Sequence, residues 1–380
     1  MIRKTSLLLA AAAIGALLVE AGAARAQDIP VAVAGPLTGQ LAALGDQFKR
    51  GAEMAVEDLN AAGGVAGKKL KLELGDDQCD PKQAVAVANQ LSVKKVAVVA
   101  GHACSGSSIP ASAVYNENNV IMITPASTAP ALTDEAAKKG WHNVFRALGR
   151  DDAQGAVAGR TIAARFKDKK VAVIHDKSAY GKGLADETKK AMNAAGLKEA
   201  MYESVTAGDK DFSALISKMK AANIDVVYFG GYHTEAGLML RQGREQGFQA
   251  QFIGGDGLNT DEFGKIVGTT GEGFRMTFTP DPRKNPNAAK VVERFKAKGL
   301  DPEGYTLYTY ATFQVWSEAV KKAGTTDSTK VQNALRQGEF DTVLGKLSFD
   351  AKGDVKNPDF VFYVFKDGKW VEDPTWSTKG

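Results

Sequence analysis

Apolar positions along the chain switch between two spacings. Ile29-Pro30-Val31-Ala32-Val33 reads as a short buried strand and runs into the turn Gly35-Pro36-Leu37-Thr38-Gly39. Ala52, Ala55, Val56 and Leu59 follow at i, i+3, i+4 and i+7, the stripe of an amphipathic helix, which Gly63-Gly64 and Gly67 break. Leu70, Leu72 and Leu74 alternate as a strand. Ala84, Val87, Ala88 and Leu91 form a second helical stripe, and Val96 to Ala100 a further apolar strand. Another helix and the strand Val120 to Thr124 complete the series. Alternating elements of this length predict a parallel sheet covered by helices.

The pattern restarts after Arg150-Asp151. Strands are expected at Val171 to Ile174, Met201 to Val205, Ile224 to Phe229 and Gln251 to Gly254, with helices at Leu184 to Ala195, Phe212 to Ala221 and Thr234 to Gln246. The remainder carries strand-like Phe274 to Phe278 and Phe360 to Phe365 and helices near 288–298, 305–322 and 328–337. It is too mixed for a third unit of the same kind and is expected to complete the first two. The prediction is an α/β molecule of two doubly wound units in tandem, whose strand carboxyl ends face a common cleft. Open α/β folds bind ligands there.

The amino terminus changes where such a molecule works. Arg3 and Lys4 precede a 13-residue apolar run, Leu7 to Val19, and Ala24-Arg25-Ala26 closes the segment. These are the parts of a secretory signal peptide over residues 1–26. The run is short of the ~20 residues a membrane-spanning helix needs, so the mature chain is expected to be exported and free. Export in turn favours a disulfide between Cys79 and Cys104, the chain's two cysteines. A thiol nucleophile beside an oxidation partner is the poorer reading. The four histidines are scattered without metal-site spacing, so no metal is expected. With 48 basic against 44 acidic residues, the net charge of +4 leaves no footprint for nucleic acid. The apolar share of 44% and charged share of 24% are ordinary for a globular chain.

The loops contain no P-loop, no G-x-G-x-x-G after a first strand and no G-x-S-x-G elbow. His175-Asp176 at a strand end could suggest acid–base work, but it has no nucleophile to serve; no catalytic residue and no cofactor is expected. The loops instead offer hydroxyls and backbone donors. Ser105, Ser107 and Ser108 lie between a strand and a helix predicted to begin near Pro110, and helix starts suit anions such as a carboxylate. Thr124-Pro125-Ala126-Ser127-Thr128 is a second hydroxyl-bearing loop at a strand's carboxyl end. In the second unit Tyr180, Tyr232 and Asp256 each follow a predicted strand. One acid and two aromatics facing two hydroxyl loops describe a site for a small zwitterion with an apolar side chain.

At these residues the chain resembles the leucine/isoleucine/valine-binding proteins, the periplasmic receptors of branched-chain amino acid ABC transporters. The stretches that carry the resemblance are Gly75 to Asn89, Gly101-His102-Ala103-Cys104-Ser105, Met122 to Pro130, His175-Asp176-Lys177 through Tyr180-Gly181, and Gly230-Gly231-Tyr232-His233. It implies a type I periplasmic binding protein: two Rossmann-like lobes joined by three hinge crossovers, near residues 150, 275 and 355. Lobe 1 would be 27–150 plus 275–355, and lobe 2 would be 151–274 plus 356–380. The Cys79–Cys104 disulfide is a feature of the family. By resemblance, Ser105 and Thr128 bind the ligand carboxylate, and the Ala126 carbonyl and Asp256 bind its ammonium. Leu44, Ala103, Cys104, Tyr180, Tyr232 and Tyr305 line the side-chain pocket. Asp256 stands where well-known members carry Glu, Leu44 where an aromatic is frequent and Ala103 where a leucine is common. The implied function is capture of an aliphatic amino acid in the periplasm, as a monomer, for delivery to an ABC transporter permease. The alternatives are an exported sensor on the same fold and an exported α/β enzyme.

Overall fold

The computed structural model describes residues 27–376; the expected signal peptide, 1–26, lies outside them. The first lobe is built in chain order from β1 (Ile29–Gly35), α1 (Ala42–Ala61), β2 (Leu70–Asp76), α2 (Pro81–Val93), β3 (Val98–Ala100), α3 (Ser105–Glu117), β4 (Ile121–Thr124), α4 (Pro130–Lys138) and β5 (Val144–Arg146). The second lobe repeats the scheme with α5 (Asp151–Arg165), β6 (Val171–His175), α6 (Ala179–Ala194), β7 (Met201–Ser204), α7 (Ser213–Ala221), β8 (Val226–Gly230), α8 (His233–Glu245), β9 (Gln251–Gly254), α9 (Asp261–Val267) and β10 (Arg275–Phe278). Then follow α10 (Ala289–Ala297), α11 (Thr306–Ala323), α12 (Ser328–Gln337), the hairpin β11 (Glu339–Thr342) and β12 (Gly345–Ser348), and the antiparallel pair β13 (Val361–Lys366) and β14 (Lys369–Glu372).

The first sheet has the order β2-β1-β3-β4-β5, with every pairing parallel. The second runs β14-β13-β10-β9-β8-β6-β7, so its parallel part, β7-β6-β8-β9-β10, repeats the first sheet's order. The central strands are largely apolar because helices cover both faces: β4, β6 and β8 are buried at every position. In each sheet the order reverses beside the first strand. The loops after β1, β3 and β4 therefore come together, as do those after β6, β8 and β9, and such switch points are where open α/β sheets take ligands.

Two expectations need correction. Arg275–Phe278 pairs with β9 and β13, so it extends the second sheet, and the middle crossover begins after Phe278 rather than at 275. The sequence shows that these residues form a strand, but sheet membership is set by distant partners. The helix expected near Pro110 begins at Ser105. Proline is favoured in a helix's first turn, which suggested a start at 110; here Pro110 lies within the helix, and Ser107 and Ser108 already bond the Cys104 carbonyl at 2.9 Å. The three crossovers lie side by side, with Leu148, Gly149, Thr279, Pro280, Val355 and Lys356 lining one groove. Arg146 and Arg150 at the first crossover both bond Asp354 at the third. α10 and α11 return to the first lobe, where α11 packs along α1. Gly51 permits that approach: a Cβ there would lie 2.2 Å from the Thr306 carbonyl oxygen. No helix among the described residues is long and apolar enough to cross a membrane.

Candidate functional site

Where the two switch points face each other, the lobes close on a narrow pocket. The first lobe contributes Leu44 and Phe48 from α1, Ala103 from the loop between β3 and α3, Ser105 at the start of α3, Ala126 after β4, and Tyr305 before α11. The second lobe contributes Tyr180 at the start of α6, Tyr232 before α8, and Asp256 and Gly257 after β9. The three contributing loops of each lobe follow topologically equivalent strands, as the repeated strand order requires.

The chemistry centres on Asp256, which is 1% exposed. Its Oδ1 accepts the Tyr180 hydroxyl at 2.8 Å and its Oδ2 the Tyr305 hydroxyl at 2.7 Å, one phenol from each lobe. Burial raises the Asp256 carboxyl above its ordinary range, and the two phenols act against that shift. Burial, reinforced by the Asp256 charge, pushes both phenols well above 10, so they remain donors. Gly257 N–H donates to the Tyr180 oxygen at 2.9 Å, and the Tyr180 and Tyr232 rings lie 5.1 Å apart. Gly255 and Gly257 leave space for Tyr180: a Cβ on Gly255 would sit 2.7 Å from its hydroxyl. Phe48 packs edge-on to Tyr305 at 6.2 Å.

Opposite this acid, the hydroxyl loops are joined to each other. Thr124 Oγ1 donates to the His102 carbonyl at 2.8 Å, and Ser127 Oγ reaches the His102 and Ala103 carbonyls at 3.1 and 3.0 Å. Ser105 Oγ accepts the Ala129 N–H at 3.2 Å, so both loops hold the start of α3 at the cavity wall, where its first N–H groups suit an anion. His102 is fixed in turn by Asp77 at 2.6 Å and Tyr115 at 2.9 Å, all three buried. Arg146, fully buried, donates to the Ser127 and Ala129 carbonyls at 2.9 Å each and pairs with Asp354 at 2.6 Å. The Cys79–Cys104 disulfide, with a Cα–Cα distance of 5.6 Å, attaches the loop after β2 to the residue that precedes α3.

Of the residues singled out from sequence, Leu44, Ala103, Ser105, Ala126, Tyr180, Tyr232, Asp256 and Tyr305 meet at this cavity. Thr128 and Cys104 stand behind it. The Thr128 hydroxyl is buried beside the Asp151 carboxyl, while Cys104 borders a wider opening next to Tyr232. His175 lies elsewhere, its Nδ1 accepting the Lys177 N–H at 3.0 Å. Sequence reasoning missed Phe48, Gly257 and Asp151. Asp151 is fully buried beside Thr128, to whose carbonyl its N–H donates at 2.9 Å. Burial and the nearby Asp256 charge push its carboxyl well above the usual range. Among the described residues no cluster of His, Cys, Asp and Glu is placed to hold a metal.

A protein-family model described as periplasmic binding protein matches residues 28–369. Leu/Ile/Val-binding protein homolog 1 of Brucella suis is 49% identical over 96% of this chain and 97% of its own length. The leucine-, isoleucine-, valine-, threonine- and alanine-binding protein of Pseudomonas aeruginosa is 46% identical over 92% of each. Among solved structures, the substrate-binding protein LivJ of a branched-chain amino acid transporter from Streptococcus pneumoniae, in complex with isoleucine, has a TM-score of 0.82 at 27% identity. That match covers 91% of this chain and 100% of the other. The leucine-binding protein LivK of Thermotoga maritima also has a TM-score of 0.82, at 28% identity, over 91% of this chain and 97% of its own. With two lobes of repeated strand order closing on one cavity, and relatives aligned along nearly its whole length, this chain belongs to the periplasmic binding protein family, among the Leu/Ile/Val-binding proteins.

Proposed function

We propose that the protein captures an aliphatic amino acid between its lobes, as a monomer in the periplasm, and passes it unchanged to the permease of an ABC transporter. The observation that carries this reading is the lining of the cavity. It holds one acid that already accepts two neutral phenols, a helix start with its serine opposite, and otherwise apolar or aromatic walls. A zwitterion enclosed there loses its water, so each charge needs a protein partner. Asp256 and the Ala126 carbonyl serve the ammonium, while Ser105, Thr128 and the first N–H groups of α3 serve the carboxylate. Leu44, Phe48, Ala103 and the two tyrosines of the second lobe give the side chain an apolar bed. Leu44 and Ala103 carry less bulk than the aromatic and the leucine frequent at these places in the family, which leaves more room beside the ligand side chain.

Native mass spectrometry of the purified protein is expected to find a co-purified amino acid by its mass. Calorimetric titration with leucine, isoleucine, valine, threonine and alanine should give saturable 1:1 binding of at least one, recovered unaltered on denaturation. Binding of none of the five, or chemical conversion of the ligand, overturns the reading.

A further inference from the structure

We infer that Gln47 is the positioning residue that holds the lobes together over the cavity without touching what the cavity binds. The inference rests on the reading of the cleft as an amino-acid site and concerns a residue outside its lining.

Gln47 lies on α1 between Leu44 and Phe48, which line the cavity, yet it is not part of that lining. It is 1% exposed, so both ends of its amide need partners inside the protein. Its Nε2 donates to the Asn259 carbonyl at 2.9 Å, and its Oε1 accepts the Tyr305 N–H at 2.9 Å. Asn259 belongs to the second lobe, directly after the 3₁₀ turn Asp256–Leu258 that presents the acid. Tyr305 belongs to the first lobe and supplies the phenol that meets that acid. One side chain thus joins α1, the approach to α11 and the Asp256 turn. Gly304 brings the strands of chain close enough for this, with φ +51° and a Cβ position 2.3 Å from Gln47 Oε1 and 2.8 Å from the Asn259 oxygen. Of the other hydrogen bonds that cross the cleft, Tyr305 to Asp256 is part of the site, Glu303 to Asp261 joins two acids, and Thr234 Oγ1 to the Gln40 carbonyl is exposed and long at 3.4 Å.

When the lobes part, the Asn259 carbonyl and the Gln47 amide return to water, so this bond favours the closed arrangement by the net worth of a buried hydrogen bond. Apparent affinity is intrinsic affinity multiplied by the fraction of closed molecules. Loss of the bond should therefore weaken every ligand by one common factor, about three- to tenfold. A residue that lines the pocket would weaken different ligands by different factors.

The test uses two variants of the full mature protein, Gln47→Met, which keeps the shape and loses both bonds, and Gln47→Glu, which keeps the acceptor for Tyr305 and loses the donor to Asn259. Leucine and alanine, or whichever two of the five amino acids bind the parent, are titrated by calorimetry. The expected result is a rise in Kd by the same factor for both ligands in each variant. An unchanged Kd, or factors that differ between the two ligands by more than threefold, overturns the role. If the parent binds none of the five, the functional reading fails and Gln47 is judged by small-angle scattering of the ligand-free proteins. A larger radius of gyration in both variants then supports the role, and an unchanged radius overturns it.

Discussion

Two phenol O–H groups reach the Asp256 carboxylate from opposite lobes, at 2.8 and 2.7 Å. An ionised carboxylate offers about four lone-pair positions, so the phenols leave room for an ammonium. Asp256→Asn keeps the size but removes the charge and turns one oxygen into a donor facing donors. It should cost about 2–5 kcal/mol of amino-acid binding, as for truncating a desolvated charge pair. Calorimetric titration of the variant checks this, and parent-like affinity would leave Asp256 as a turn residue only. Several of the site's side chains were legible because they follow predicted strands: Ser105, Tyr180, Tyr232 and Asp256 all do. Tyr305 precedes a helix far along the chain, and resemblance alone pointed to it. Phe48 was not legible, because an aromatic within a helix usually reads as core. Asp151 marked only the restart of the pattern, since burial of its carboxylate depends on Thr128 and Asp256, both remote in sequence.

At the scale of elements, the alternation of strand and helix was plain because strands buried on both faces must be apolar throughout. The strand Val144–Arg146 escaped notice. It is three residues long and ends in an arginine, whose charge is answered by Asp354 some two hundred residues away. α3 shows how much of the site depends on what holds one helix start in place. Its preceding residue is half of the disulfide, its serine bonds the neighbouring loop, and His102 behind it is fixed by Asp77 and Tyr115. Reduction of Cys79–Cys104 is expected to lower stability by about 2–5 kcal/mol. It should also weaken amino-acid binding, because Ser105 adjoins Cys104. Urea denaturation with and without reductant, alongside a Cys79→Ser/Cys104→Ser variant, measures the first effect. Coincident transitions would remove the bridge from the account.

For the molecule as a whole, Glu303 of the first lobe meets Asp261 of the second at a wedge beside the cleft. Burial, with Asp261 next, raises the Glu303 carboxyl to about 8. Asp301 adds to the shift, Gln47 opposes it, and Lys265, Arg283 and Lys369 stand around the wedge. Once the lobes part, Glu303 returns toward its ordinary value near 4.5. The closed form therefore binds the proton more tightly than the open form, and closure takes up a proton between those two values. The sign follows: ligand affinity strengthens as pH falls from about 8 toward 5 and levels off below the lower value. Titrations of leucine across that range should show the slope, and Glu303→Gln should flatten it. A slope that survives the substitution would assign the effect to another group.

The path of the chain between the lobes also bears on how the molecule is made. The parallel strands of the second sheet, β6 to β10, are consecutive in sequence from Val171 to Phe278. The first lobe is interrupted: α1 is covered by α11, which follows more than two hundred residues later. A chain delivered amino terminus first thus exposes the apolar side of α1 until Thr306–Ala323 arrives, by which time the central strands of the other lobe are complete. The amino-terminal lobe must wait for that helix, and the second lobe waits longer still for β13 and β14 to close its edge.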